Sequence, residues 1–133
     1  MQTNYKFKHG ISLVLDGMEL DLQNIYNFAG LEYSIEQRTL KLIWQRGFGE
    51  WARVTRPSRV EIEFAGISLF EFRPRNTEMP FTGDDCLRHA GRVCEDIFIS
   101  DPKSDPDWKT AFCFMSGAVI ALKAETATAR VHD

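Results

Sequence analysis

Cys86, His89 and Cys94 form a Cys86-x₂-His89-x₄-Cys94 run, the densest group of metal-ligating and nucleophilic side chains in the chain. If the run is helical, Cys86 and His89, three apart, share one helix face. Zinc takes four nitrogen or sulfur ligands in a tetrahedron, usually as close pairs from two knuckles. Here three ligands lie together, with Cys113 or His132 as a distant fourth, and no second pair follows. The competing reading makes Cys86, Cys94 and Cys113 small buried hydrophobes. The same residues also read as a thiol nucleophile with a histidine base, since a helix N-terminus stabilises a thiolate. Asp84 and Asp85 beside Cys86 oppose that role by raising the thiol pKa.

Asp84, Asp85, Glu95, Asp96, Asp101, Asp105 and Asp107 crowd one segment. General acid–base work needs two carboxyls converging on a pocket, and a calcium loop needs an ordered run of oxygen ligands ending in Glu. Neither pattern is present, and solvated turn acids are the simpler reading. Gly47 and Gly49 give only G-x-G with no helix start after it, so no nucleotide-binding fingerprint arises. No catalytic residue, no metal site and no cofactor is assigned.

The segment from Trp44 to Arg59 interleaves aromatics with arginines. Trp and Arg are enriched at protein-protein hot spots, so Phe48, Trp51, Arg53 and Arg56 are the candidate partner-binding residues. The same composition suits a stacking surface for single-stranded nucleic acid. A third reading buries Trp44 and Trp51 in the core and pairs the arginines with Glu61, Glu63 and Glu71. Nucleic acid is the least favoured of the three, because the charge is not basic. Net charge is −3, with two bases against three acids in residues 1–30, eight against seven in 31–80, and six against nine in 81–133. A nucleic-acid binder normally shows a strongly basic domain or face.

Period-2 alternation dominates the elements that must position these residues. Ile11, Leu13 and Leu15, then Asp16-Gly17, then Met18, Leu20 and Leu22 predict a hairpin over 11–22, since Asp-Gly supplies the positive φ of a type I′ turn. A short helix over 19–28 competes with its second half. Residues 31–36 and 39–45 read as an antiparallel pair burying Leu31, Tyr33, Ile35, Leu40, Leu42 and Trp44. Val60, Ile62 and Phe64 form a half-buried strand, and after Ala65-Gly66 the run 67–72 reads as a better-buried one. Residues 74–81 read as a loop. Thr82 or Asp84 caps a short helix to about Arg92. Residues 95–100 read as a strand, and 101–107 as a loop whose two prolines forbid ladder bonding. Segments 111–115, 118–123 and 127–131 read as a closing three-stranded meander. The expectation is an α+β chain, predominantly antiparallel β in hairpins and meanders, with one or two short helices in a single domain over 1–133.

The composition, 44% hydrophobic and 26% charged, is that of an ordinary globular chain able to bury one core. An odd number of cysteines without framework spacing, and an N-terminus that meets no apolar signal-peptide core, predict reduced thiols in a cytoplasm. No apolar run approaches the ~20 residues of a membrane-spanning helix.

The run from Val60 to Phe72, following Leu31 to Trp44, resembles small β-rich bacterial proteins of uncharacterised families, some of them similar to immunity proteins of polymorphic toxin systems. The likeness is one of strand pattern over about half the chain. It implies a non-enzymatic protein that neutralises a partner through a protein-protein interface, and it transfers no functional residue. Two function classes follow: a binding module acting on a protein partner or by self-association, and a small enzyme or metal protein using the Cys86, His89 and Cys94 region.

Overall fold

The computed structural model describes residues 1–47, 56–93 and 109–133. The strands are β1 (Gln2–Thr3), β2 (Lys6–Lys8), β3 (Ser12–Leu15), β4 (Met18–Asp21), β5 (Tyr26–Ser34), β6 (Thr39–Arg46), β7 (Arg59–Ala65), β8 (Leu69–Arg73), β9 (Leu87–Val93), β10 (Lys109–Phe114), β11 (Val119–Lys123) and β12 (Thr126–His132). They form a five-stranded sheet β1-β12-β7-β6-β5, a four-stranded sheet β8-β11-β10-β9 and a three-stranded sheet β2-β3-β4. Every pairing is antiparallel except β1 with β12.

The hairpin over 11–22 forms as expected. Leu15 pairs with Met18 across Asp16 and Gly17, whose φ angles of 50° and 78° are those of a type I′ turn. The helix competing over 19–28 does not form, because β4 and the start of β5 take those residues. β5 and β6 also pair as read, with Leu31 opposite Leu42 and Tyr33 opposite Leu40.

Leu40, Leu42 and Trp44 on β6, with Val60, Ile62 and Phe64 on β7, are fully buried. They face Leu87 on β9, Phe112 on β10, and Ile120 and Leu122 on β11. Phe112 is where the three sheets meet. Its ring centroid lies 5.8 Å from Trp44, 6.1 Å from Phe64 and 5.9 Å from Phe7 of β2. On the outer face of the four-stranded sheet, Lys109 of β10 reaches over β11 to Glu71 of β8 at 2.9 Å. Small residues lie along its path, with Ala121 and Ala111 in register with Glu71, so a long side chain can lie flat there.

Four expectations are corrected. The helix from Thr82 or Asp84 to Arg92 is instead a single 3₁₀ turn, Phe81–Gly83, followed by strand β9. A bulge is the reason: Cys113 pairs with His89 but Phe114 with Leu87, so Leu87 and Ala90, three apart, both face the core. "One or two short helices" is thus too many, since that turn is the only helical piece among the described residues. The run 67–72 is not the better-buried strand. β7 is central, whereas β8 ends its sheet with Phe72 exposed. The closing meander stops after β10–β11, because β12 crosses to pair with β7 in the other sheet. Tyr33 and Ile35 are exposed, because β5 is an edge strand and Ile35 lies in the turn beyond it. The strand expected over 95–100 and the loop over 101–107 lie outside the described residues.

Candidate protein-interaction surface

β5 ends the five-stranded sheet and β8 ends the four-stranded one, and the two strands touch at a seam where Tyr33 of β5 meets Phe70 of β8. β5 is tied to the four-stranded sheet at both ends, to the segment before β9 at one end and to the segment before β8 at the other. Phe28 N–H donates to the Asp85 carbonyl at 2.8 Å. Beyond the other end, the turn residue Arg38 donates to the Ile67 carbonyl from Nε and Nη2 at 3.0 and 2.9 Å, while Ile67 N–H donates back to the Arg38 carbonyl at 3.1 Å. Arg38 has a φ of 55°, which lets the turn close onto the start of β8.

Fastened this way, the Tyr33 ring packs on Phe70 at 4.7 Å. Phe70 is partly buried against the core, but its neighbours are not covered. Tyr33 is 41% exposed, Phe72 58% and Ile35 79%. Large apolar side chains in water, Tyr33 and Phe72 on two edge strands and Ile35 in the turn after β5, are the kind of feature that marks an interaction site. A second exposed ring, Phe81, has the Arg75 guanidinium 4.6 Å from its centroid. Arg75 also donates to Asp84 at 2.9 Å and to the Met79 carbonyl at 2.6 Å. The Arg75 hydrogen bond, helped by one from Ser116, holds the Asp84 carboxyl below its ordinary pKa.

Of the expected partner-binding residues, Phe48, Trp51 and Arg53 lie outside the described residues. Arg56 is half-buried, and its carbonyl accepts from Arg46 Nη1 at 2.6 Å. Close by, Arg46 N–H donates to Ser58 at 2.8 Å, and the fully buried Tyr26 hydroxyl donates to the Pro57 carbonyl at 2.8 Å. The ion pairs differ from the expected pattern in two of three cases. Glu61 pairs with Arg59, whereas Glu63 pairs with Arg130 and Glu71 with Lys109.

The nucleophile and metal candidates are dispersed. Cys86 Sγ is 4.0 Å from the Gln23 carbonyl, whereas the His89 ring lies against Gly10. His89 stands opposite Cys113 in the β9–β10 ladder. Cys94 lies outside the described residues, and among those described no three His, Cys, Asp or Glu side chains come together as a metal site. Burial, then the charges of Asp85 and Asp21, pushes the Cys86 thiol up; burial outweighs Arg88 and Arg73 in pushing Cys113 up. Both shifts disfavour the thiolate a nucleophile needs.

Glu61 is the most buried carboxylate among the described residues, on the outer face of the five-stranded sheet. Burial raises its pKa, but Arg59, a hydrogen bond to His132, and Lys41 together hold it below the ordinary value. Its neighbours make it a fixed structural charge. The sequence places Tyr33 and Ile35 in the core and gives Phe72 no binding role, because alternation assigns faces to a strand and is silent on which strand ends a sheet. Among the described residues no helix is long and apolar enough to cross a membrane. No protein-family model, curated protein or solved structure matches this chain.

Proposed function

We propose that this chain is a non-enzymatic binding protein that acts through a protein-protein interface, in the manner of an immunity protein that occludes its target. The observation that carries the reading is the exposed apolar seam of Tyr33, Ile35 and Phe72 between two sheet edges. Apolar anchors of this size gain most from burial against a partner, and open ladder edges add main-chain hydrogen bonds. The free thiols Cys86 and Cys113 suit a reducing compartment, which makes the cytoplasm the proposed place of encounter. The alternative, a small enzyme or metal protein built on Cys86, His89 and Cys94, draws no support from the dispersal and raised pKa values of the described thiols.

The test is a photo-crosslinking residue placed at Tyr33 or Phe72 in the native host, with a control at Thr128 on the outer face of the five-stranded sheet. The expected result is one adduct common to both seam positions and absent from the control. Ile35→Asp should abolish it without lowering the melting temperature, because Ile35 is already in water. For the immunity-like form, the captured protein should be toxic alone and harmless when co-expressed with this chain. Seam adducts no more specific than those at Thr128 would overturn the reading.

A further inference from the structure

We infer that β8 is a self-association edge, at which two copies of this chain join their four-stranded sheets by antiparallel β8–β8 pairing centred on Phe72. The inference rests on reading the seam as an interaction surface, and it names a second copy as the occupant of its β8 side. Among the described strands β8 has one ladder neighbour, β11, which leaves its other edge for another strand. Its sequence is Leu69-Phe70-Glu71-Phe72-Arg73.

Two-fold symmetry restricts how such a strand can meet itself. An axis perpendicular to the sheet keeps each side chain on its own face, so residues directly opposite must share a face. The axis must therefore pass beside one residue, which then faces its own copy. Centred on Glu71, the pairing sets two carboxylates against each other; centred on Arg73, it sets two guanidinium groups together. Centred on Phe72, it places Glu71 of each copy opposite Arg73 of the other, twice. Centred on Phe70, it places Glu71 opposite Leu69. Only the Phe72 register pairs both charges.

The same register covers what is exposed. Phe72, more than half in water, meets Phe72 of the second copy, where an aromatic pair is favourable. Glu71 accepts from Lys109 at Oε1, and a carboxylate has two oxygens with several lone pairs with which to accept a further bond from the arriving arginine. Edge strands that avoid self-pairing usually carry like charges or inward-pointing ones. The Glu71-Phe72-Arg73 order instead makes this edge complementary to itself. Pro74 follows the strand and keeps the ladder short, so association is weak and dependent on concentration.

Sedimentation of the full chain should show a concentration-dependent dimer. Arg73→Glu alone sets Glu against Glu across the axis, and Glu71→Arg alone sets Arg against Arg. Each should weaken self-association about tenfold, since two cross-strand charge pairs change sign. An equimolar mixture of the two variants restores both opposite-charge pairs and should recover the dimer. A second measurement avoids the loss of the Glu71–Lys109 contact. Directly opposed residues have Cα atoms about 4.5 to 5.5 Å apart, within disulfide range, so Phe72→Cys should give a linked dimer on mild oxidation. Phe70→Cys, two positions from the axis, should not. A wild-type chain that stays monomeric up to its solubility limit, or charge variants that associate as well as wild type, would overturn the inference. If the seam then still captures a different protein by crosslinking, only self-association has failed. If the mixture dimerises while crosslinking finds no other protein, only the heterologous-partner reading has failed.

Discussion

At Glu61 a carboxylate is held in a place that would reject it without its neighbours. Burial raises its pKa, and Arg59, His132 and Lys41 more than reverse the shift. A folded pKa below the ordinary 4.5 means the unfolded chain binds the proton more tightly. The stability Glu61 contributes is therefore fully present above the ordinary carboxylate range and is lost as pH falls through the lowered value. Glu61→Gln should cost about 1 to 3 kcal/mol at neutral pH, the worth of charge-assisted hydrogen bonds. Urea titrations should show the gap from wild type closing as the solution is taken well below pH 4.5. A gap independent of pH would mean that shape, not charge, holds the site. Gly10 is constrained differently: its φ is 72°, and a Cβ there would come 2.1 Å from His89 Cε1. Gly10→Ala adds a left-handed penalty of about 1 to 2 kcal/mol to an overpacking cost of about 1 to 3 kcal/mol. A chemical denaturation midpoint unchanged from wild type would contradict the contact.

At the scale of elements, Phe112 ties the sheets together. It touches Phe7 of the three-stranded sheet and both Trp44 and Phe64 of the five-stranded one from its own place in the four-stranded sheet. Phe112→Ala should cost about 3 to 5 kcal/mol, and the near-ultraviolet signal of Trp44 should change with it. A cost below about 1 kcal/mol would show that the sheets hold one another by other contacts. This junction also marks the limit of what the sequence reveals. Asp16-Gly17 disclosed its hairpin because a type I′ turn is a local event, and Leu40, Leu42 and Trp44 disclosed their strand by alternation. Alternation did not reveal that β7, with buried Glu61, would be central, nor that β8, rich in Phe, would be an edge. In β9 the bulge set Leu87 and Ala90 three apart, which interrupts period 2 where the sequence predicts a capped helix. The candidate seam was illegible for the same reason: Tyr33 and Phe72 look like core residues until their strands prove to have one neighbour each among the described strands.

Across the whole molecule, the two ends of the described chain are bound to each other. β1 runs parallel to β12, with Gln2 opposite Thr126. Just past β1, the Asn4 side chain acts as a further rung: its Nδ2 donates to the Ala129 carbonyl at 3.1 Å, and Ala129 N–H donates to its Oδ1 at 2.7 Å. Tyr5 then enters the core, where burial pushes its phenol up and its ring meets Phe7 at 5.5 Å. Through Phe7 the N-terminal strands reach Phe112, so one cluster contains residues of all three sheets. A core shared in this way should not be lost in parts, and unfolding should be a single cooperative transition with equal calorimetric and van't Hoff enthalpies. Asn4→Ala provides the sharper test. It removes two hydrogen bonds and should cost about 1 to 3 kcal/mol. If the terminal strands belong to the common core, the variant moves the whole transition down by several degrees and leaves it sharp. If they form a separate, weaker unit, Asn4→Ala instead splits off an early phase that leaves the main melting temperature unchanged. That second outcome would show the five-stranded sheet to be stable without β1.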